Sequence, residues 1–260
     1  MKQRIKYAIE RCLQNALQLF RVLPLQPRVN FIAFSGRQYS DSPRRISELL
    51  LREHPEIQQI WAFNEPEKFR FLEEKGIKVV KYKSLEYLYY VMTSKVYVDN
   101  AEFWSILKFR PGQMVLQTWH GGGAYKRVGG HRIDVNQREQ RHAVEKMNKI
   151  TLFLSSSKAF TDFVIRGAYQ YRGEVLECGL PRNDDLLKPD AAVTEVELSA
   201  EAWPYLTENI ARYPAYDVTP RRGDVLADYE SFEGVYDAIL SNPPYIPTAD
   251  LPALQREVQC

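Results

Sequence analysis

Short apolar runs alternate with amphipathic stretches over most of this chain. Residues 29–34 form an apolar run without polar alternation, which is typical of a strand buried on both faces. Similar runs predict further strands at 57–63, 77–82, 95–98, 114–118, 151–154 and 174–177. Helices are predicted between them, one opened by Ser42 as N-cap with Pro43 at its first position, and others near 66–75, 84–93, 136–148 and 157–168. This order predicts an α/β fold with a Rossmann-like parallel sheet, whose functional residues gather beyond the carboxyl ends of the strands.

The first 28 residues predict an amphipathic helix and a lead-in to the sheet. Residues 2–21 place their apolar side chains, among them Ile5, Ile9, Leu13 and Leu17, on one helical stripe, with Lys, Arg and Gln elsewhere. Two interpretations stay open. The stripe packs against the helix's own domain, or the basic helix lies on an anionic membrane surface.

The pattern restarts after residue 189. A strand is predicted at 193–198, a helix at 200–211 and a second strand at 235–240. The charge changes at the same place: residues 1–188 carry 31 basic and 20 acidic residues, whereas residues 189–260 carry 4 basic and 13 acidic residues. Such an asymmetry is typical of separate modules. The sequence therefore predicts three segments, 1–28, 29–188 and 189–260, the last an incomplete α/β piece.

Composition narrows the class of protein. The chain has 260 residues, of which 45% are hydrophobic, and no stretch approaches the ~20 apolar residues of a membrane span. The N-terminus lacks the apolar core of a signal peptide, so we expect a cytoplasmic protein, peripheral at most on the inner face of the cell membrane. Cys12, Cys178 and Cys260 are then expected to be reduced thiols, and their spacing fits no zinc site. Neither a metal site nor a nucleic-acid partner is predicted.

The first candidate site follows the strand predicted at 114–118. That strand runs into Trp119, His120 and the glycines Gly121, Gly122 and Gly123. Glycines allow positive φ and close approach of the backbone to a ligand, and an imidazole suits a general base that removes a hydroxyl proton near neutral pH. Nearby Lys126 and Arg127 could hold phosphate oxygens. The competing interpretation is a histidine that only hydrogen-bonds a turn.

Four motifs in order resemble the CDP-glycerol:poly(glycerophosphate) glycerophosphotransferase family. They are FSGRQYSDSP at 34–43, QTWHG at 117–121, LSSS at 154–157 and GLPRND at 179–184. The resemblance covers roughly residues 1–188. It implies transfer of glycerol phosphate from CDP-glycerol to a hydroxyl of a lipid-linked teichoic or capsular polymer, without a further cofactor, by a GT-B enzyme built from two Rossmann-like halves.

By this resemblance His120 is the base that deprotonates the acceptor hydroxyl. From the chemistry of the residues, Gly121, Gly122 and Lys126 are candidates for contact with phosphate or acceptor. Arg182 is a further candidate, for which an ion pair with Asp184 or Asp185 is at least as strong an alternative. The family's nucleotide-binding half would follow residue 188, and the sequence there does not resemble it. We therefore expect little or no transferase activity from this chain alone, because positioning and charge stabilisation carry most of such a transfer.

The second candidate site is Asn242-Pro243-Pro244-Tyr245, which follows the strand predicted at 235–240. Prolines rigidify the loop, and an amide next to an aromatic ring can hold a planar nitrogen nucleophile. Residues 241–247 resemble the glutamine N5-methyltransferases that modify peptide chain release factors. The resemblance implies S-adenosylmethionine as cofactor, bound by Glu197, Asp224 and Asn242. The substrate glutamine of a release factor would contact the four residues of the motif. The Gly-rich loop of that family is missing before residue 193.

Three hypotheses follow from the sequence. The chain is a glycerophosphotransferase, inactive by itself, with a foreign tail. Alternatively, a methyltransferase fragment gives the chain its activity. In the third hypothesis the chain is a chimera without catalysis, whose first domain at most binds membrane or acceptor polymer.

Overall fold

The computed structural model describes residues 2–123, 126–187, 192–225, 227, 228 and 231. By its contacts the chain divides into two compact units, residues 1–188 and 189–260. The two units are considered separately.

The first unit contains a parallel β-sheet flanked by helices. Its strands are β1 (Gln26–Ile32), β2 (Gln58–Phe63), β3 (Lys78–Lys81), β4 (Ser94–Asp99), β5 (Met114–Gln117), β6 (Leu152–Ser155) and β7 (Glu174–Glu177). Its α-helices are α1 (Lys2–Leu17), α2 (Asp41–Glu53), α3 (Leu85–Thr93), α4 (Gln137–Met147) and α5 (Lys158–Phe160), the last continued by a π-helix at Thr161–Ala168. Shorter 3-10 helices lie at Gln18–Val22, Pro66–Lys75, Gly129–His131 and Pro181–Leu187.

The sheet has the order β3-β2-β1-β4-β5-β6-β7, and every neighbouring pair is parallel. The chain first builds outward from β1 through β2 to β3, and then resumes on the other side of β1 with β4. The connections that leave the carboxyl ends of β1 and β4 therefore run in opposite directions. In a sheet of this kind that switch point forms the crevice in which ligands bind.

Two apolar clusters pack on the two faces of the sheet. Phe31 and Trp61 belong to one cluster, and their chain neighbours Ile32 and Ile60 belong to the other. Successive side chains of a strand point to opposite faces, so a strand covered on both sides must be apolar at every position. This is the physical reason why the central strands show no polar alternation in the sequence.

The predicted α/β fold with a parallel sheet is confirmed, and each strand predicted before residue 188 is present. β1 ends earlier than predicted, at Ile32, because Phe34 and Ser35 have φ of 47° and 56° and turn the chain. The following helix begins at Asp41, so its N-cap is Ser40 and not Ser42. The predicted helix at 66–75 is a 3-10 helix, and the one at 157–168 is largely a π-helix.

The end of α1 packs on its own domain. Leu17 is buried in the core, Gln14 Nε2 donates to the Ser105 carbonyl at 2.9 Å, and Gln18 Nε2 donates to the Lys108 carbonyl at 3.1 Å. The interpretation of a helix packed on its own domain is thus correct for this part of the segment. Among the described residues no helix has the length and apolar character needed to cross a membrane.

The second unit is described for one βαβ arrangement. β8 (Ala192–Glu197) pairs in parallel with β9 (Asp217–Arg222), and α6 (Trp203–Ala211) connects them. β8 and α6 match the first strand and the helix predicted for this segment. β9 was not predicted, because its sequence DVTPRR is mostly polar and contains Pro220. The strand predicted at 235–240 lies outside the described residues.

Candidate functional site

The site is built around the turn that follows β5. Thr118 N donates to the carbonyl of Asp99 at 2.9 Å, and Trp119 N donates to the side-chain oxygen of Gln117 at 2.8 Å. Trp119 itself has φ of 56°, a left-handed conformation that is rare for a bulky residue. These contacts end the strand sharply, so His120 lies at the carboxyl edge of the sheet.

The ring of His120 is held by one short hydrogen bond and two aromatic contacts. Its Nδ1 atom lies 2.6 Å from the backbone oxygen of Asn100. A carbonyl can only accept, so Nδ1 carries the proton and Nε2 of the neutral ring is left as the basic nitrogen. The ring stacks on Trp119 with centroids 4.9 Å apart and contacts Phe34 at 5.6 Å. The geometry thus fixes the orientation of the ring and leaves Nε2 as its acceptor nitrogen.

Asn100 connects the ends of β1 and β4. Its side-chain oxygen accepts from Phe34 N at 2.8 Å, and its Nδ2 donates to a carboxylate oxygen of Asp41 at 3.0 Å. Asn100 is fully buried, so both ends of its amide are satisfied inside the protein. Its backbone carbonyl is thereby fixed next to Nδ1 of His120.

Arg182 reaches this cluster from the 3-10 helix Pro181–Leu187. Its Nη1 atom lies 2.9 Å from the His120 carbonyl and 3.3 Å from the Asp41 carboxylate. Of the two ion pairs offered as alternatives, the one with Asp184 is not present, because the arginine turns toward the sheet edge and meets the Asp41 carboxylate, which is only 4% exposed. The side chain of Asp185 lies outside the described part of the chain. The Arg182 side chain stays 35% exposed. Its Nε and Nη2 atoms have no partner among the described residues.

Gly121 and Gly122 follow His120 but do not adopt the positive φ expected of them. That role is taken by Trp119, which makes the sharp turn instead. A Cβ on Gly122 would meet only Leu180 Cδ1, at 3.8 Å, an ordinary contact distance. Packing within the described protein therefore does not require a glycine at position 122. Contact with a ligand would be a reason for the small residue there.

Lys126 is exposed, and within the described ranges no hydrogen bond or ion pair joins it to another residue. The structure therefore brings His120, Gly121, Gly122 and Arg182 together, whereas a contact of Lys126 with the site stays a prediction.

Backbone strain is concentrated around this site. Among the described residues, six that are not glycine have positive φ, and four of these are Phe34, Ser35, Asp41 and Trp119. Left-handed conformations of such residues cost free energy and persist where the surroundings enforce them, commonly at functional sites. The strain therefore marks the same edge of the sheet as the hydrogen bonds do.

Sequence reasoning missed Asp41, Asn100 and Asp99. The pair Asp99-Asn100 directly follows an apolar strand, and this signal could have pointed to Asn100 as a residue at the carboxyl edge. Asp41 had no such signal, because an acid near a helix start is commonly a cap. No group of three or more side chains suited to a metal ion occurs in the described part of the chain.

The residues predicted for S-adenosylmethionine are only partly described. Glu197 is the last residue of β8 and accepts from Ser199 N at 2.7 Å, and Asp224 follows the end of β9. Asn242, Pro243, Pro244 and Tyr245 lie outside the described residues.

Comparison with protein families decides between the glycerophosphotransferase and the methyltransferase interpretation for most of the chain. Residues 15–201 match the family described as CDP-glycerol:poly(glycerophosphate) glycerophosphotransferase. The chain belongs to this family. The resemblance seen in its four motifs is confirmed.

Curated relatives carry related names. The chain is 28% identical over 182 residues to a teichoic acid poly(glycerol phosphate) polymerase of Bacillus spizizenii, covering 65% of this chain and 45% of the relative. It is 28% identical over 192 residues to a teichoic acid glycerol-phosphate transferase of Staphylococcus aureus, covering 72% of this chain and 49% of the relative. The chain thus spans about half the length of these two relatives.

Solved structures show the same fold. A structure of the wall teichoic acid polymerase TagF superposes with a TM-score of 0.58 at 20% identity, covering 87% of this chain and 65% of the other. A second structure, of a histidine-to-alanine variant of that polymerase, gives a TM-score of 0.57 at 18% identity, covering 90% of this chain and 66% of the other. At this identity the likeness establishes the fold and not the activity.

Proposed function

We propose that this chain takes part in the transfer of glycerol phosphate from CDP-glycerol to a hydroxyl of a lipid-linked teichoic or capsular polymer. The observation that carries the proposal is the hydrogen bond from His120 Nδ1 to the Asn100 carbonyl, which leaves Nε2 free to accept a proton. It occurs at the switch point of the sheet in a chain of the glycerophosphotransferase family.

In this reaction the acceptor hydroxyl attacks the phosphorus of the glycerol phosphate group. A new P–O bond forms, the bond to the cytidine monophosphate breaks, and the hydroxyl proton passes to His120 Nε2. Arg182 directs Nε and Nη2 to a phosphate oxygen, since its Nη1 is already held by Asp41 and the His120 carbonyl. Gly121 and Gly122 leave space for the backbone of the site to approach the acceptor. CDP-glycerol acts as a substrate, and the scheme uses no further cofactor.

The test is transfer of radiolabelled glycerol phosphate from CDP-glycerol to a lipid-linked glycerol phosphate acceptor. We expect His120→Gln to lower the rate by about 100- to 10,000-fold, the usual contribution of a general base. His54→Gln is the matched control, because His54 is an exposed histidine at the end of α2. Equal, measurable rates for the wild type and His120→Gln would contradict the proposal. A wild type without any transfer would agree with the low activity expected of this chain alone.

The segment around the first helix is proposed to rest on the anionic inner surface of the membrane that carries the acceptor. Leu19 and Val22 are 74% and 85% exposed, and Arg11 and Arg21 lie on the same segment. Exposed apolar side chains next to basic ones are the combination that binds an anionic interface. Under this proposal the protein is a peripheral component of the membrane.

A second candidate function concerns the second unit. Glu197 and Asp224 stand at the carboxyl ends of two adjacent parallel strands, where methyltransferases of the resembling family hold S-adenosylmethionine. Against it, Glu197 lies within the residues that match the glycerophosphotransferase family.

Titration calorimetry with S-adenosylmethionine separates the hypotheses. Binding that is lost in Glu197→Gln would support the methyltransferase fragment, with a release factor as its partner. Absence of both binding and glycerol phosphate transfer would support the chimera without catalysis.

A further inference from the structure

Asp41 is the buried acid at the centre of the site. Its Oδ1 accepts from Ser42 N at 2.6 Å, and its Oδ2 accepts from Asn100 Nδ2 at 3.0 Å and from Arg182 Nη1 at 3.3 Å. The carboxylate is 4% exposed. A charge so buried is tolerated only when it is paired and hydrogen-bonded, and here both conditions are met.

These contacts close a ring. Asn100 and Arg182 both donate to Asp41, Arg182 also donates to the His120 carbonyl at 2.9 Å, and His120 Nδ1 donates to the Asn100 carbonyl. The four residues come from the start of α2, the end of β4, the end of β5 and the 3-10 helix Pro181–Leu187. A member of such a ring cannot turn without breaking bonds made by its neighbours.

We infer that Asp41 is a positioning residue of the proposed transferase site: it directs Nε and Nη2 of Arg182 to an anion and, through Asn100, holds the His120 ring ready to accept a proton. The role rests on the proposed function and goes beyond it, because it assigns one carboxylate to the orientation of both the base and the anion ligand.

The plainer interpretation of Asp41 is a local one, in which its carboxylate caps a backbone donor in the first turn of α2. The bond from Ser42 N to Oδ1 serves that purpose. The bonds to Oδ2 do not, because they come from β4 and from the segment after β7. Loss of a cap would lower stability, whereas loss of the Oδ2 contacts would change the state of His120 and Arg182. The two roles therefore have different readouts.

Two variants of the full chain separate these contacts. Asp41→Asn keeps an acceptor oxygen for Asn100 but loses the charge that holds Arg182. Asp41→Gly removes both contacts and tolerates the local φ of 62°, as asparagine also does. The two substitutions thus divide the effect on the arginine from the effect on the histidine.

The first readout is the imidazole tautomer of His120, from NMR of the protein labelled with ¹⁵N-histidine and assigned with His120→Gln. We expect a ring protonated on Nδ1 in the wild type and in Asp41→Asn. In Asp41→Gly we expect a shift toward the form protonated on Nε2, which free imidazole side chains prefer. The second readout is binding of glycerol 3-phosphate, which we expect to weaken about tenfold in both variants because Arg182 is no longer aimed.

Asp162→Asn is the matched control, because Asp162 forms an exposed ion pair with Lys158 at 3.0 Å. We expect it to leave both readouts unchanged. A folded Asp41→Gly protein with wild-type tautomer and wild-type affinity would overturn the inference. If Asp41→Gly does not fold, wild-type affinity in Asp41→Asn overturns it instead. A tautomer change together with equal, measurable transfer rates in the wild type and His120→Gln would uphold the role of Asp41 and reject the proposed function.

Discussion

The hydroxyl of Tyr97 donates a hydrogen bond of 3.0 Å to the carboxyl group of Asp99, which is buried at the end of β4. Burial raises the pKa of Asp99 from 3.8 to about 7, although this hydrogen bond and one from Ala101 N at 2.8 Å act in the opposite direction. Asp99 also accepts from Thr118 N through its carbonyl, so it supports the turn that carries His120. A carboxyl group with a pKa of about 7 therefore lies next to the turn that carries His120.

This pKa predicts an unusual dependence of stability on pH. The folded pKa lies above the unfolded one, so the contribution of Asp99 is complete below about pH 4 and is lost as the pH rises to about 7. Asp99→Asn cannot ionise. Between pH 5 and pH 8 we expect the wild type to lose roughly 2–3 kcal/mol of unfolding free energy relative to Asp99→Asn. Urea unfolding of both proteins at several pH values measures this difference, and parallel curves would contradict it.

A second prediction concerns Arg110, which links the N-terminal segment to α3. Its Nη1 donates to the carbonyls of Phe20 and Met92, both at 3.0 Å, and its Nη2 donates to those of Arg21 at 3.2 Å and Leu23 at 2.8 Å. A lysine keeps the positive charge but lacks the planar guanidinium group that donates to several carbonyls at once. We expect Arg110→Lys to lower the unfolding free energy by about 1–3 kcal/mol.

Amide hydrogen exchange locates this effect. In Arg110→Lys we expect faster exchange in residues 18–25, while the central strands keep their order of protection. Arg52→Lys is the control, because Arg52 forms an ion pair with Glu53 in which both side chains are mostly exposed. Exposed ion pairs contribute about 0–1 kcal/mol to stability. Equal losses of unfolding free energy in the two variants would show that the hydrogen bonds of Arg110 do not hold the N-terminal segment in place.

The sheet was predictable because burial on both faces leaves a simple pattern. β7 has the predicted bounds, and β2 and β4 begin or end within one residue of prediction. The errors occur where the backbone leaves regular geometry. The left-handed Phe34 ends β1 early, and hydrogen bonding within Thr161–Ala168 is that of a π-helix. Periodicity over a few residues does not distinguish these cases from regular elements.

Only the part of the site formed by residues close together in sequence was predictable. His120, Gly121 and Gly122 are consecutive, and they follow a recognisable strand. The ring that holds them joins Asp41, Asn100 and Arg182, which are separated by at least 59 residues in sequence. Such contacts depend on the order of strands in the sheet. For the same reason the ion-pair partners that the sequence offered for Arg182 were the nearby Asp184 and Asp185, whereas the structure pairs it with Asp41, 141 residues away.

A third prediction compares two glycines with similar backbones. Gly129 has φ of 55°, and a Cβ there would lie 2.7 Å from both the Ala168 carbonyl oxygen and the Tyr169 ring. Gly76 has φ of 79°, and a Cβ there would meet nothing within 4 Å. We expect Gly76→Ala to cost about 1–2 kcal/mol from its φ alone. Gly129→Ala should cost roughly 1–3 kcal/mol more because of overpacking.

Thermal unfolding of the two glycine variants measures the difference. Tyr169 contacts Trp119 at 5.4 Å between ring centroids, and Trp119 stacks on His120. The clash at Gly129 should therefore also disturb the environment of His120, which its NMR signals report. Equal destabilisation by the two variants would show that the region around Tyr169 accommodates the added methyl group without a further loss of stability.

The last prediction tests the membrane surface proposed for the N-terminal segment. Binding to vesicles of phosphatidylglycerol should weaken about tenfold or more when Leu19→Ser and Val22→Ser are combined, because two apolar side chains no longer enter the interface. Leu85→Ser is the control, since Leu85 is also 85% exposed but lies at the start of α3. Cosedimentation with vesicles gives the affinities, and neutral phosphatidylcholine vesicles should bind the wild type less because the basic residues then lack a partner. Equal binding by the double variant and the wild type would leave these apolar side chains without a role at the membrane, and the helix would then serve only to pack on its own domain.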